Sequence, residues 1–445
     1  MKKTNYIMIM TDDQGYGDLS CMGSKDFVTP NIDSLAVSGA RFTNWYSGSP
    51  VCSPSRACLL TGRYPGNAGV RAILGGTRKA SGLTPEAPTL ATALKELGYG
   101  TSLVGKWHLG LREDCRPRQN GFDDFYGFMA GCVDYYSHIF YWGMSDGKTD
   151  PTHDLWENET EIYDNGHYMT EMITERAVER IRAYSQAEKP FMLYVGYNAP
   201  HYPMHAPQKY MDRFKHLPWD RQVMAAMIAA VDDGVGELIN ELKRNGQYEN
   251  TCIFFQSDNG PSREARNWLD GTPDYYYGGQ TGGFKGHKFS LFEGGIRVPG
   301  ILSWPEKIPA GQVIDEPCIA ADIFPTFLNA AGGDAAKYRI DGLDIMDVLT
   351  KSAKSPHDCL FWEMAGQTAV RRGRYKLVLD GELLEGVSAE DKVFLADLEA
   401  DPSETKNLKD ELPSLTAELT QKALAWRAEL ETNWDKNWAK NYSLT

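Results

Sequence analysis

The sequence predicts an α/β protein: a large mixed β-sheet sandwiched by helices, followed by a smaller C-terminal antiparallel sheet that carries one helix. Three observations support this. Apolar runs alternate with amphipathic segments through most of the chain. Four of those runs lead straight into polar motifs, as expected where ligands gather beyond the carboxyl ends of the strands of an open α/β sheet. Near residues 350–358 the texture changes to short alternating segments, and a long amphipathic stretch closes the chain.

The four strands are expected at residues 5–10, 100–104, 191–197 and 251–256. Covering helices are expected at 32–38, 89–97, 169–184, 221–245 and 319–331, where apolar side chains recur at helical spacing. A shorter helix is expected after Cys52, with Ser53 as N-cap, Pro54 at the first helical position and Gly62 as the stop. Strands of the small sheet are expected at 359–363, 369–371, 375–379 and 393–397, and the closing helix at 412–432. The chain therefore divides into a larger unit, 1–355, and a C-terminal unit, 356–445.

At 445 residues, with 42% hydrophobic and 24% charged side chains, the chain can bury one large core and a smaller second one. The net charge of −14 argues against nucleic acid or an anionic membrane as partner. No stretch approaches the roughly 18 apolar residues of a membrane span. The apolar run after Lys2 and Lys3 is too short for the core of a secretory leader, so it reads as the first strand. The location expected is cytoplasmic, or periplasmic or secreted if a leader was removed. The eight cysteines (Cys21, Cys52, Cys58, Cys115, Cys132, Cys252, Cys318, Cys359) form no CxxC pair, which favours reduced thiols.

The strand ends carry the chemistry. Residues 5–10 lead to Asp12 and Asp13, 251–256 to Asp258 and Asn259, 100–104 to Gly-Lys106-Trp107-His108, and 191–197 to Asn-Ala-Pro-His201. Asp12, Asp13, Asp258 and Asn259 offer only oxygen donors, the preference of a hard cation such as Ca²⁺ or Mg²⁺. A single Asp after a strand is more often a turn former or helix cap; two Asp-rich ends on one sheet favour a metal. Lys106 and His108 stand two apart on a loop that can turn both toward one site. Taken alone, that pair also suits a solvated lysine and a histidine satisfied by backbone.

The segment Cys52-Ser-Pro-Ser-Arg56-Ala-Cys-Leu-Leu-Thr-Gly62 places a reactive side chain at a helix start, with Arg56 about one turn further on. Free N–H groups at such a start favour a tetrahedral oxyanion. This segment resembles the signature of type I sulfatases, of the alkaline-phosphatase-like superfamily. The run Phe394-Leu-Ala-Asp-Leu-Glu-Ala-Asp-Pro-Ser-Glu-Thr-Lys-Asn-Leu408 resembles a segment of their C-terminal domain, so the likeness covers nearly the whole chain.

That resemblance implies that Cys52 is oxidised to formylglycine by a separate formylglycine-generating maturation enzyme. It implies that Asp12, Asp13, Asp258 and Asn259 hold one Ca²⁺, with Mg²⁺ the alternative. Lys106 and Lys288 become sulfate clamps, His108 and His201 proton carriers, and Arg56 the group that holds the hydrated aldehyde in register. Lys285 and His287 lie close to Lys288, and a shift of alignment would move the clamp to Lys285. One hydroxyl of the hydrate attacks sulfur, His201 protonates the leaving alcohol, and His108 takes the proton of the second hydroxyl as sulfate is expelled.

The expected substrate is a terminal sulfated sugar and the expected protein a bacterial carbohydrate sulfatase, with Arg71, Trp107, His138 and His205 as sugar contacts. The aromatic stretches 134–142 and 273–278 suit sugar rings as well as they suit packed core. Competing readings are an arylsulfatase of broad range, a phosphoester or phosphonate hydrolase of the same superfamily, and a non-catalytic binder of sulfated glycans. Only two of the nine histidines stand at motif ends, which disfavours a dinuclear zinc site.

Overall fold

The computed structural model describes residues 3–142 and 150–440. One mixed sheet of ten strands forms the centre. In chain order its strands are Asn5–Thr11 (β1), Ala40–Phe42 (β2), Gly100–Lys106 (β3), Asp124–Phe128 (β4), Trp156–Glu157 (β5), Thr160–Glu161 (β6), Phe191–Gly196 (β7), Thr251–Ser257 (β8), Gly300–Ser303 (β9) and Gln312–Ile314 (β10). Their spatial order is β10-β2-β9-β8-β1-β7-β3-β4-β5-β6.

The four expected strands are adjacent at the middle of this sheet, as β8-β1-β7-β3, and all three pairings are parallel. The register is level: Thr11 pairs with Ser257, Met10 with Gly196, and Gly196 with Gly105. All four chain ends therefore leave the sheet along one rim, the place where an open α/β sheet builds its ligand site. Every residue of β1, β3, β7 and β8 is buried, as parallel strands covered on both faces require.

The covering helices form where their apolar spacing predicts, with small shifts at the ends. They are Pro30–Ser38 (α1), Leu90–Glu96 (α3), Met169–Gln186 (α4), Trp219–Arg244 (α5) and Ile323–Ala330 (α6). Thr89 caps α3 by accepting from the Thr92 N–H at 3.2 Å. The helix expected from 319 starts later: Cys318–Ile319 form a short bridge and Ala320–Asp322 a 3₁₀ turn.

The second sheet is antiparallel, with strands Leu360–Met364, Gln367–Arg372, Tyr375–Leu379 and Val393–Asp397 in that order. Its one face shares the main core through Trp362, Ala369 and Val378. Its other face packs Val370, Leu377 and Leu395 against Leu419 and Ala423 of the closing helix, Pro413–Asn437 (α7). No helix among the described residues is long and apolar enough to cross a membrane.

Candidate active site

The helix Cys52–Thr61 (α2) runs from the rim of the sheet into the core, and all ten of its residues are buried. Its start differs from the expectation that Ser53 is the N-cap. Val51, in extended conformation, is the N-cap; its carbonyl accepts from the Ser55 N–H at 3.2 Å, which makes Cys52 the first helical residue. Ser53 Oγ instead accepts from the Leu74 N–H at 3.2 Å. Gly62 ends the helix as expected, in the left-handed conformation at φ 66°. The thiol of Cys52 thus sits in the first turn, at the positive end of the helix dipole.

Around it the structure gathers the expected residues from four strand ends. Ligand atoms of Asp12, Asp13, Cys52 and His201 all lie within 4.8 Å of one another. Arg56 donates to Asp258 Oδ2 from Nε (3.1 Å) and Nη2 (2.8 Å), and Nη2 lies 3.8 Å from Asp12. Lys106 Nζ reaches Asp12 Oδ2 at 2.5 Å. Lys288 Nζ lies 2.9 Å from Asp13 Oδ2 and 3.3 Å from His201 Nε2. Asn259 Nδ2 donates to Asp13 Oδ1 at 2.7 Å. Asp13 has φ 61°, uncommon outside glycine, and its N–H donates to Asp258 Oδ1 at 3.1 Å, which ties the two acidic strand ends together.

Three carboxylates and three cations thus share one buried cradle. Burial pushes the Asp258 carboxyl up to about 7, helped by Asp12. At Asp13 burial also pushes upward, but the Lys288 and His201 charges outweigh it and hold the group at about 2. Burial raises the Cys52 thiol to about 12 despite Lys106 and Lys288, so the bare cysteine is not a ready thiolate. His201 is lowered to about 4 by burial and then by Lys288. His108 is held well below its ordinary value by burial and by Lys106.

The hydrogen bonds fix both tautomers. His201 Nδ1 stands 2.5 Å from the Tyr202 carbonyl, which can only accept, so Nδ1 carries the proton and Nε2 faces Lys288 with a free lone pair. His108 Nε2 donates to the Leu74 carbonyl at 3.2 Å, leaving Nδ1 buried with no hydrogen-bond partner among the described residues. Through Leu74, which also bonds Ser53, His108 is anchored to the start of α2.

The donor set fits a hard cation. Asp12 Oδ1 and Asn259 Oδ1 are buried with no hydrogen-bond partner among the described residues. Buried polar atoms are rarely left so, and oxygen ligands for an ion are a direct account of both. With all three carboxylates ionised, their charges balance those of Arg56, Lys106 and Lys288. A divalent ion would leave it with excess positive charge, which suits an anionic ester.

Lys288 is the lysine in the cluster. Lys285 lies over the rings of Phe292 (4.4 Å) and Phe394 (3.9 Å) instead. Three of the four expected sugar contacts are placed elsewhere. Arg71 is held by Glu363 and Glu431, both at 2.6 Å, and stacks on Trp434 at 4.9 Å, because α7 brings two carboxylates to it. Trp107 is buried, donating to the Cys115 carbonyl at 3.0 Å. His138 is buried and bonded to the His167 carbonyl at 3.1 Å. His205 is half-buried, with Nδ1 3.4 Å from Asp134 Oδ2. Two residues escape the motif reading. Tyr194 accepts from Arg56 Nη1 at 3.2 Å, and Tyr135 donates to the carbonyls of Asn198 and His201, both at 2.9 Å. The one signal for Tyr194 was a hydroxyl inside an apolar strand.

Fold and site together place a buried cluster of three carboxylates, three cations and a cysteine at the rim of an α/β sheet. The chain belongs to the sulfatase family, which it matches over residues 4–333. Residues 281–429 match the family described as N-sulphoglucosamine sulphohydrolase, C-terminal. Among curated relatives, mouse arylsulfatase J is 34% identical over 400 residues, covering 84% of this chain and 63% of that protein. Mouse N-acetylgalactosamine-6-sulfatase is 33% identical over 397 residues, covering 84% and 71%. The crystal structure of Ps i-CgsB in complex with k-i-k-neocarrahexaose superposes with a TM-score of 0.85 at 31% identity, covering 100% of this chain and 95% of that one. The family implies, in general, a metal ion and a formylglycine.

Proposed function

We propose that this chain hydrolyses a sulfate monoester of a terminal sugar to the alcohol and inorganic sulfate, using a formylglycine made from Cys52 and one Ca²⁺. The observation that carries the reading is the meeting of Asp12, Asp13, Cys52 and His201 within 4.8 Å. One relative named N-acetylgalactosamine-6-sulfatase and one structure solved in complex with k-i-k-neocarrahexaose support the substrate class.

Asp12, Asp13, Asp258 and Asn259 would hold the ion. It would supply Lewis-acid polarisation of the ester oxygens, and the formylglycine a nucleophilic hydroxyl. Arg56 orients Asp258 and stands one turn below residue 52. Lys106 and Lys288, whose ammonium groups lie on Asp12 and Asp13 beside Cys52, would stabilise the sulfate oxygens as they gain charge, in buried surroundings where such contacts are strong. His201 and Lys288 share one proton-donating edge: Lys288 is held cationic by Asp13, and neutral His201 accepts from it. A sulfate anion placed between them favours the charged form of the pair, which then protonates the leaving alcohol. His108 Nδ1, buried and with no hydrogen-bond partner among the described residues, accepts the proton released at residue 52.

The test combines intact mass with turnover. Protein from a host that has the maturation enzyme should be lighter than its translated mass at Cys52. It should release sulfate from members of a panel of sulfated sugars and from nitrophenyl sulfate, in preference to nitrophenyl phosphate. Cys52→Ser should lose turnover, because its single hydroxyl cannot re-form a carbonyl; normal turnover by Cys52→Ser sinks the proposal.

A further inference from the structure

Lys288 reaches the cluster from a tight turn, and the residue that follows it is strained. Phe289 has φ 76°, left-handed backbone that a bulky side chain rarely adopts. Such a conformation persists only where its surroundings over-determine it. Three hydrogen bonds do so here. The Lys288 N–H donates to the Pro261 carbonyl and the Phe289 N–H to the Pro50 carbonyl, both at 3.0 Å. The Phe289 carbonyl accepts from Gln367 Nε2 at 2.7 Å.

The three partners come from three places. Pro261 stands two residues after Asn259 and Pro50 two before Cys52. Two of the bonds therefore tie the turn to the loops of the proposed metal ligands and nucleophile, backbone to backbone. The third is made by a side chain of the C-terminal unit. Gln367 opens the strand Gln367–Arg372 and is 1% exposed. Its Oε1 accepts from the Leu291 N–H at 3.2 Å and from the Glu382 N–H at 2.9 Å. Carbonyls only accept and backbone N–H groups only donate, so these partners fix the orientation of the amide. Gln367 grips the turn on both sides of Ser290, and Glu382 steadies the gripping oxygen.

We propose that Gln367 is a positioning residue for the reaction: through the Phe289 peptide it sets the reach of Lys288. The inference deepens the proposed function and rests on it. The φ torsion of residue 289 follows directly on the peptide that joins it to Lys288. Relaxation to a negative value would turn that peptide, break the bond to Pro50 and shift the lysine stem. Lys288 Nζ stands 2.9 Å from Asp13 Oδ2 and 3.3 Å from His201 Nε2, and hydrogen bonds tolerate only a few tenths of an ångström. Without the amide, the Phe289 carbonyl and the Leu291 N–H also lose a buried partner, which favours a rearranged turn. The C-terminal sheet, which adds no side chain to the cluster described above, thus acts on it through one glutamine.

The test is a double-mutant cycle. Sulfate release is measured for the matured parent, Gln367→Met, Lys288→Ala and the double variant, on nitrophenyl sulfate and on the panel of sulfated sugars. Gln367→Met should lower kcat about tenfold to a hundredfold, the usual effect of misplacing a catalytic group by about 1 Å. In the Lys288→Ala background the same change should alter kcat by less than about twofold, because no ammonium group is left to misplace. Where Lys288→Ala is too slow to measure, affinity for inorganic sulfate is read by calorimetric titration instead. Gln367→Met should weaken that affinity in the parent and leave it unchanged in Lys288→Ala. Thermal denaturation checks folding, and Gln367→Asn, too short to reach the turn, replaces a Gln367→Met that does not fold. A purely structural role predicts that the two losses multiply. Multiplied losses, or parental kcat in Gln367→Met, overturn the inference while leaving the sulfatase reading intact. Release of no sulfate by the parent from any substrate overturns that reading, and this inference with it.

Discussion

The guanidinium of Arg56 donates to Oδ2 of Asp258 from both Nε (3.1 Å) and Nη2 (2.8 Å), and both side chains are fully buried. One end of the pair sits on the helix that carries Cys52; the other belongs to the strand end that supplies two of the proposed metal ligands. The pair therefore couples nucleophile and metal positions mechanically.

Arg56→Ala should lower stability by about 3–5 kcal/mol, the usual cost of leaving a buried charge without its partner. Arg56→Lys keeps the charge but loses the two-point grip, and should fold better than Arg56→Ala while still losing turnover. Denaturant unfolding and sulfate release, measured on both variants, check this. Equal stability for Arg56→Ala and the parent would contradict it.

Adding Ca²⁺ should stabilise the protein. The carboxylates of Asp12, Asp13 and Asp258 are crowded and buried, and a bound cation relieves their mutual repulsion. At about 100 times its dissociation constant, the ion should add about 2.7 kcal/mol to the unfolding free energy, reversed by a chelator. Asp258→Asn should reduce the shift, and calorimetric titration should give one site per chain.

Stability should fall as pH rises from about 4.5 to about 7 through Glu404. Burial lifts this carboxyl from its ordinary 4.5 to about 7, against Lys376 at 3.2 Å and with the Glu293 carboxylate adding to the rise. Within that window the folded chain keeps a proton that the unfolded chain has released, so the linkage slope is negative. Glu404→Gln removes the titrating group and should flatten this part of the melting-temperature profile. Unchanged curvature would assign the slope to other groups.

Arg71→Ala should destabilise without changing KM. Arg71 clamps Glu363, 2% exposed, and Glu431 of α7, so its loss leaves Glu363 with Arg427 at 3.3 Å as remaining partner. The expected cost is about 1–3 kcal/mol, that of a poorly satisfied buried group. Sulfate-release kinetics alongside thermal unfolding would separate this role from substrate binding, which predicts a raised KM.

Local sequence pattern determined the α/β class, the four central strands, most covering helices and the small C-terminal sheet. Periodicity and turn chemistry are properties of neighbouring residues, and β1, β3, β7 and β8 obey them without outside help. The same holds for the polar motif ending each strand, which made Asp12, Lys106, His201 and Asp258 visible as candidates. Tertiary structure alone decided that these ends meet. Convergence needs β8, β1, β7 and β3 to be adjacent, parallel and level, and sheet order is set by long-range packing rather than by any one segment. It also decided the partners of long side chains. Arg71 looked available beside the signature helix until α7, some 360 residues on, supplied Glu431. Trp142 and Trp268 likewise stack, ring centroids 4.2 Å apart, only because the fold lays two distant loops side by side. Charged and aromatic side chains take whichever neighbour the fold delivers, and that choice is not written within reach of their own segment.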